Sequence, residues 1–253
     1  MSTPVSPTRT RACAGTPRGL FVAGTDTEIG KTRTAVSVIR ALAGAGLRVA
    51  AMKPVAAGAE RTAAGLRNGD ALALAAAANV TADVALVNPY CLIAPVSPHI
   101  AAADAGICIE IAIILRAFHQ LADHADCVVV EGAGGWLAPI GERESMADVA
   151  LALGLPVLLV VGLRLGCLNH ALLSAREIEA SGLRLAGWIA NHIDPAYERL
   201  PENVATLERL LDRPPVAFIP HEAPGAAPRA MLEPGVELSA EASRTLRELL
   251  SAA

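Results

Sequence analysis

Short, wholly apolar runs alternate along this chain with stretches whose apolar residues recur at helical spacing. Leu20 to Ala23 reads as a buried strand that stops at Gly24. From Lys31 onward, Ala35, Val38, Ile39 and Leu42 fall on one helical face, and Gly44 and Gly46 supply a C-terminal stop. Val49 to Met52 is the next strand, residues 53–69 read as loop, and Asp70 opens an alanine-rich helix. Cys127 to Val130 is a strand that ends in Glu131 and a glycine-rich turn. Val157 to Val161, Leu185 to Ile189 and Val216 to Ile219 complete the strands, with helices predicted over about Asn169 to Ser181, Pro201 to Leu211 and Ala240 to Ser251. Strands that are apolar on both faces and separated by helices predict the α/β class, a mostly parallel sheet with helices on both faces. No internal repeat and no long linker divides the pattern. Residues 19–253 are therefore expected to form a single domain, preceded by a flexible tail at residues 1–18.

Composition narrows the picture. The 253 residues are 53 % hydrophobic, and a mean hydropathy of +0.43 raises the question of a membrane. The longest apolar run, Ala147 to Leu163, is broken by Asp148, Gly154 and Pro156, and falls short of the ~20 apolar residues that a spanning helix needs. Alanine inflates the apolar count, so a soluble, cytoplasmic protein without a membrane partner is expected. The net charge of −4 and the absence of a basic patch remove the electrostatic footprint of a nucleic-acid binder. Five scattered cysteines without a C-x-x-C pair read as reduced, mostly buried thiols. In the tail, Arg9, Arg11 and Arg18 meet no acid, as in a transit peptide, but Pro4 and Pro7 argue against the amphipathic helix such a peptide needs.

The sharpest chemical motif is Gly24-Thr-Asp-Thr-Glu-Ile-Gly-Lys-Thr32, which follows a strand and opens a helix. In that context backbone N–H groups and the helix N-terminus cradle phosphates, the lysine reaches the β/γ-oxygens and the threonine hydroxyl takes Mg²⁺. The general P-loop pattern places its first glycine at position 25, where this chain has Thr25, so the strict pattern fails by one residue. A P-loop NTPase-like fold binding a nucleotide is the resulting expectation. Glu131, at the C-terminal end of a strand where open α/β sheets bind ligands, is a second candidate metal ligand. Asp70 reads either as a helix N-cap or as a third ligand. Lys53, directly after the strand Val49 to Met52, is either a solvated strand end or a second lysine that neutralises a transferring phosphoryl group. Trp136 and Trp188 are expected to pack rather than to stack on a base.

These motifs, together with Lys53-Pro-Val, Leu66-Arg-Asn-Gly-Asp70, Asn88-Pro-Tyr90, Ser97-Pro-His99, Val130-Glu-Gly-Ala-Gly-Gly-Trp136, Leu165-Gly-Cys-Leu-Asn-His170 and Gly187-Trp-Ile-Ala-Asn191, strongly resemble the dethiobiotin synthetase family from about Leu20 to His221. The one-residue shift in the P-loop is that family's own form. The resemblance implies an ATP- and Mg²⁺-dependent ligase that closes the ureido ring of dethiobiotin from 7,8-diaminopelargonate and CO₂ through a phosphorylated carbamate. Carried over by position, Glu28, Ile29, Gly30, Lys31, Thr32 and Arg33 wrap the phosphates, and Thr32, Asp70 and Glu131 hold Mg²⁺. Lys31 sits on the β/γ-oxygens as a catalytic lysine, and Lys53, the other, stabilises charge on the carbamate and the transferring phosphoryl. Glu131, Gly132, Ala133 and Gly134 face phosphate and substrate, and Thr27 also belongs to the substrate set. Asn191 reads the adenine with help from His192 and the turn Pro220-His221-Glu222. The family works as a homodimer, and Gly166, Cys167, Leu168 and Asn169 of one subunit would receive the substrate carboxylate of the other. One departure stands out: the family usually has Ser or Thr four residues after the active lysine, and this chain has Ala57.

Two other readings share the ATP site. A cobyrinate-type amide ligase carries a glutaminase domain, for which this length leaves no room. A partitioning switch of the Min/Par type usually carries a signature lysine within the loop, and residues 25–29 contain none.

Overall fold

Five of six apolar runs are buried almost from end to end, as the continuous hydrophobic pattern requires of a sheet covered on both faces. The computed structural model describes residues 19–221 and 238–251, so the tail at residues 1–18 and Glu222 lie outside the described residues. In chain order the strands are β1 (Gly19–Gly24), β2 (Val49–Met52), β3 (Val55–Ala56), β4 (Glu60–Thr62), β5 (Gly65–Arg67), β6 (Tyr90–Cys91), β7 (Cys127–Glu131), β8 (Val157–Leu163), β9 (Leu185–His192) and β10 (Ala217–Ile219). The helices are α1 (Lys31–Gly44), α2 (Gly69–Ala77), α3 (Val84–Val87), α4 (Pro98–Asp104), α5 (Ile111–Ala122), α6 (Met146–Leu153), α7 (Cys167–Ala180), α8 (Leu200–Leu210) and α9 (Ala240–Ser251). Six strands form one sheet in the order β10-β9-β8-β1-β7-β2, and every pairing in it is parallel.

Alternate residues of each strand face opposite layers. Leu20, Val22, Val129, Leu158 and Val160 join Val38, Ile39 and Leu42 of α1 and Leu246 of α9 in one apolar cluster. Phe21, Val128, Val130, Leu159 and Val161 pack on the other side against Ile114, Phe118 and Leu121 of α5 and against α6 and α7. Trp188 is fully buried and its indole N–H donates to Arg213 O at 3.0 Å. Trp136 is also buried and meets Phe21 edge-on. Both tryptophans pack, as expected. Because all six strands are parallel, their C-terminal ends lie along one edge, and β1 sits between β7 and β8 where the direction of strand addition reverses. A crevice at that switch point is where ligands bind in such sheets.

Two details differ from the sequence reading. Residues 53–69 are not all loop: β3 pairs with β6, and β4 and β5 form an antiparallel hairpin with Glu60 opposite Arg67. These strands are two or three residues long and the hairpin is largely exposed, so they carry no apolar alternation. Helix α2 is capped by Asn68, whose side chain accepts the N–H of Ala71 at 3.2 Å, so Asp70 is not the cap. As expected, the long apolar run is divided at Gly154, which adopts φ 64° between α6 and β8. Among the described residues no helix is long and apolar enough to cross a membrane.

The thiols sort by burial. Cys127 and Cys167 are buried and Cys108 is exposed, and burial pushes the Cys127 thiol up to about 12. A thiol held neutral is a poor nucleophile. Under native conditions a maleimide should label Cys108 readily and Cys127 only on unfolding, as read by peptide mass mapping. Fast native labelling of Cys127 would contradict this packing.

Candidate active site at the carboxyl edge of the sheet

The loop from β1 to α1 turns on two residues of positive φ, Glu28 at 57° and Gly30 at 82°. Left-handed residues in such a turn direct successive backbone N–H groups into one concavity, which suits an anion. Gly30 is the N-cap of α1, so the positive end of a 14-residue helix points into the same concavity. Lys31 begins the helix and donates from Nζ to Asp26 O at 2.6 Å. Burial, and then the neighbouring Lys53 ammonium, lower the Lys31 pKa to about 8. Asp26 is fixed in turn: its carboxylate accepts the N–H of Thr27 at 2.7 Å and pairs with Arg164, just beyond β8. Arg33 donates to Pro220 O at 3.4 Å.

Beside this loop sits a buried cluster of charge. Lys53 leaves the end of β2 next to β7, since Met52 is in register with Val130. Its Nζ lies 2.5 Å from Glu131 Oε1 and 3.3 Å from Asp70 Oδ2. Thr32 Oγ1 donates to the same Glu131 oxygen at 2.9 Å. The Lys53 and Glu131 side chains are 4 % and 1 % exposed, whereas Asp70 is about half exposed. Burial works to strip the Lys53 proton, but the Glu131 and Asp70 carboxylates outweigh it and hold its pKa above the ordinary lysine value. Burial pushes the Glu131 carboxyl up against the pull of Lys53. The lysine backbone is pinned on both sides: its N–H donates to Val87 O at 2.7 Å, and its C=O accepts from Asn88 Nδ2 at 2.7 Å.

The cluster has the donor set for a hard divalent cation. Glu131 Oε2 is buried and finds no hydrogen-bond partner among the described residues, which leaves a carboxylate oxygen to be satisfied. Thr32, Asp70 and Glu131 offer only oxygen, the ligand type that Mg²⁺ takes.

A cleft of about 690 Å³ opens over these groups. Thr27, Glu28, Gly30, Lys31, Thr32, Lys53, Ala57, Asp70, Glu131, Ala133 and Gly134 line it, and Gly132 O lies 3.4 Å from Lys53 Nζ. Asn191, His192, Pro220 and His221 gather at the ends of β9 and β10 on the far side of the loop. There Asn191 Nδ2 donates to Ile29 O at 2.6 Å, and the His192 and His221 rings are 5.7 Å apart. The His192 ring is tied to Asp194 O at 2.8 Å. Gly166, Cys167, Leu168 and Asn169 are not brought to this cleft: they form the start of α7, where Cys167 is buried and the adjoining Leu165 is 90 % exposed.

The sequence left four features without a role. Asn88 pins Lys53, the Asp26–Arg164 pair braces the loop, and Pro95 to Pro98 and Pro139 form the outer wall of the cleft. Asn88-Pro-Tyr90 and Ser97-Pro-His99 stand out as motifs, but nothing in their spacing says what they touch.

A family model described as an AAA domain matches residues 18–229. The ATP-dependent dethiobiotin synthetase BioD of Aromatoleum aromaticum is 52 % identical over 212 residues, covering 84 % of this chain and 94 % of that protein. The protein of the same name from Pseudomonas aeruginosa is 51 % identical over 216 residues, covering 84 % and 95 %. The chain belongs to the dethiobiotin synthetase family. Solved structures with the same fold include the cell division ATPase MinD of Pyrococcus furiosus, with a TM-score of 0.56, 18 % identity and coverage of 92 % of this chain and 99 % of that one. A ParA family ATPase from Chlorobium tepidum gives 0.53 and 14 %, covering 94 % of this chain and 100 % of that one. At these identities the likeness speaks for the fold, and dethiobiotin synthetase membership rests on the sequence relatives.

Removing one partner of a buried ion pair strands the other charge, at a cost of about 3–5 kcal/mol. Glu131→Ala leaves Lys53 with Asp70 alone, so a loss near the lower end of that range is expected in urea denaturation. An unchanged midpoint would contradict a charged, buried pair.

Proposed function

We propose that the chain is an ATP-dependent dethiobiotin synthetase, a carbon–nitrogen cyclo-ligase acting on 7,8-diaminopelargonate and CO₂. The observation that carries the reading is the Lys53 ammonium, buried against Glu131 beside a phosphate loop that already has its own lysine. A nucleotide-binding loop needs one lysine; a second, held protonated at the cleft floor, suits a reaction in which negative charge develops on two groups at once.

In the proposed reaction one amine of the substrate adds to CO₂ and loses a proton, giving a carbamate. A carbamate oxygen attacks the γ-phosphorus of ATP, ADP departs, and a carbamic–phosphoric anhydride forms. The second amine attacks the carbamate carbon, closes the five-membered urea ring and expels inorganic phosphate. The chain has little covalent work to do, so positioning and charge stabilisation dominate. Loop amides from Glu28 to Arg33 would hold the phosphates. Lys31 would exchange Asp26 O for the β/γ-oxygens, a short move for a side chain already donating within the loop. Lys53 would face the carbamate and the transferring phosphoryl. Thr32, Asp70 and Glu131 would hold Mg²⁺, which supplies charge neutralisation to the phosphates. Asn191 and the turn at Pro220 and His221 would flank the adenine. With Asn191 Nδ2 used on the loop, Oδ1 is the atom left for the exocyclic amine of the base.

The reading includes a cytoplasmic homodimer. Gly166 to Asn169 lie away from the cleft of their own chain, and exposed Leu137 and Leu173 line a hollow beside α7. Pairing two copies across this apolar face would cover those leucines and let the α7 N-terminus of one subunit meet the substrate carboxylate bound by the other.

The direct test is ADP release with and without diaminopelargonate at saturating bicarbonate. Release that depends on the diamine supports a ligase, and release that ignores it supports a switch-type ATPase instead. Lys53→Ala should retain ATP binding and lose about two to three orders of magnitude in turnover, and retained turnover would remove Lys53 from the chemistry. Ala57 lines the cleft without a hydroxyl to offer. Restoring one hydrogen bond with Ala57→Ser should lower the KM for diaminopelargonate by roughly two- to tenfold, and equal KM values would show that the contact has no weight.

A further inference from the structure

The last turn of the phosphate loop rests directly on the ends of β8 and β9. Gly162 and Asn191 are neighbours in register across those strands. Ile29, 1 % exposed, lies flat on Gly162: a Cβ there would stand 2.6 Å from Ile29 Cγ2 and 2.7 Å from Ile193 Cδ1. One residue on, a Cβ at Gly30 would collide with the Asn191 side-chain nitrogen. Asn191 is itself 3 % exposed and donates from Nδ2 to Ile29 O at 2.6 Å. A carbonyl can only accept, so it fixes which end of the amide faces the loop.

We propose that Asn191 is a positioning residue for the phosphate loop, acting as a strut between the sheet and the peptide of Ile29, and that this role is independent of the nucleobase. The inference rests on the reading of the loop as a triphosphate cradle. Ile29 anchors the loop through its side chain and Asn191 holds its carbonyl, so the peptide that presents the N–H of Gly30 has a fixed orientation. Helix α1 starts at the next residue, and the directions of the Lys31 and Thr32 side chains follow from that peptide. Without the strut the carbonyl of Ile29 is left buried and unpaired, and the loop must rotate to satisfy it.

Inorganic tripolyphosphate with Mg²⁺, which has no base, separates a strut from a base reader. Asn191→Ala should weaken tripolyphosphate about three- to tenfold, and ATP by at least that factor. Weakened ATP with unchanged tripolyphosphate would assign Asn191 to the base alone and overturn the proposal; unchanged affinity for both would overturn it as well. If wild-type protein binds ATP but not tripolyphosphate, the cradle reading fails and the strut with it. A second measurement needs no variant: in unliganded wild-type protein the Asn191 Nδ2 protons should exchange with solvent far more slowly than those of an exposed asparagine. Fast, solvent-like exchange of that amide would overturn the proposal even if Asn191→Ala failed to fold.

Discussion

The charged groups at the floor of the cleft converge on one buried ion pair, Lys53 with Glu131. Taking two such charges out of water costs several kcal/mol per ion unless the geometry is good and the remaining polar atoms are met. The fold meets that condition through strand register. β2 and β7 are adjacent, so a lysine just beyond one strand and a glutamate ending the other emerge side by side. β1 is the next strand over, and its following loop delivers the Thr32 hydroxyl to the same carboxylate. Asp70 contributes from the first turn of α2, which Asn68 caps while also donating to the carbonyl of Ala57. The pair is thus a product of the parallel sheet, and the Glu131 oxygen that stays unpaired within it is the point at which chemistry can enter.

The same sheet supports the MinD and ParA structures, so the architecture by itself does not choose between a switch and a ligase. The lysines of this chain bear on that choice. The loop carries Lys31 alone between Gly24 and Thr32, and a second lysine, Lys53, follows the end of β2. A lysine placed there lines the cleft from its buried end, beside the Glu131 carboxylate. The scarcity of aromatic residues, 3 % of the chain, agrees with the proposed reaction, in which phosphates, a carbamate and an aliphatic diamine would be held by backbone N–H groups, oxygen ligands and ammonium groups.

Much of this was legible in the sequence, because the features that matter are periodic or local. The strands that carry the site are continuous apolar runs, and the residues at their ends, Gly24, Lys53, Glu131 and Asn191, are polar or small against that background. Helix α9 and strand β2 match the sequence reading residue for residue. The β4–β5 hairpin was not legible, since its strands are short and largely exposed and have no buried face to leave a pattern. Asn88 and Arg164 were invisible for a different reason. Each acts on a residue distant in the chain, or on a backbone atom, and a motif records which residues occur without saying what they reach. Asp70 shows the intermediate case: a carboxylate at a helix start reads equally as cap or ligand, and only the position of Asn68 decides that the cap is elsewhere.

The decisive property of this cleft is whether CO₂ is fixed between two amines there. The most direct measurement supplies ¹³C-bicarbonate, diaminopelargonate, ATP and Mg²⁺ to the purified protein and follows the product by ¹³C NMR and mass spectrometry. A ureido carbon resonance and the mass of labelled dethiobiotin, formed in step with ADP, are expected. ADP formed while all of the label remains as bicarbonate would contradict the proposed reaction.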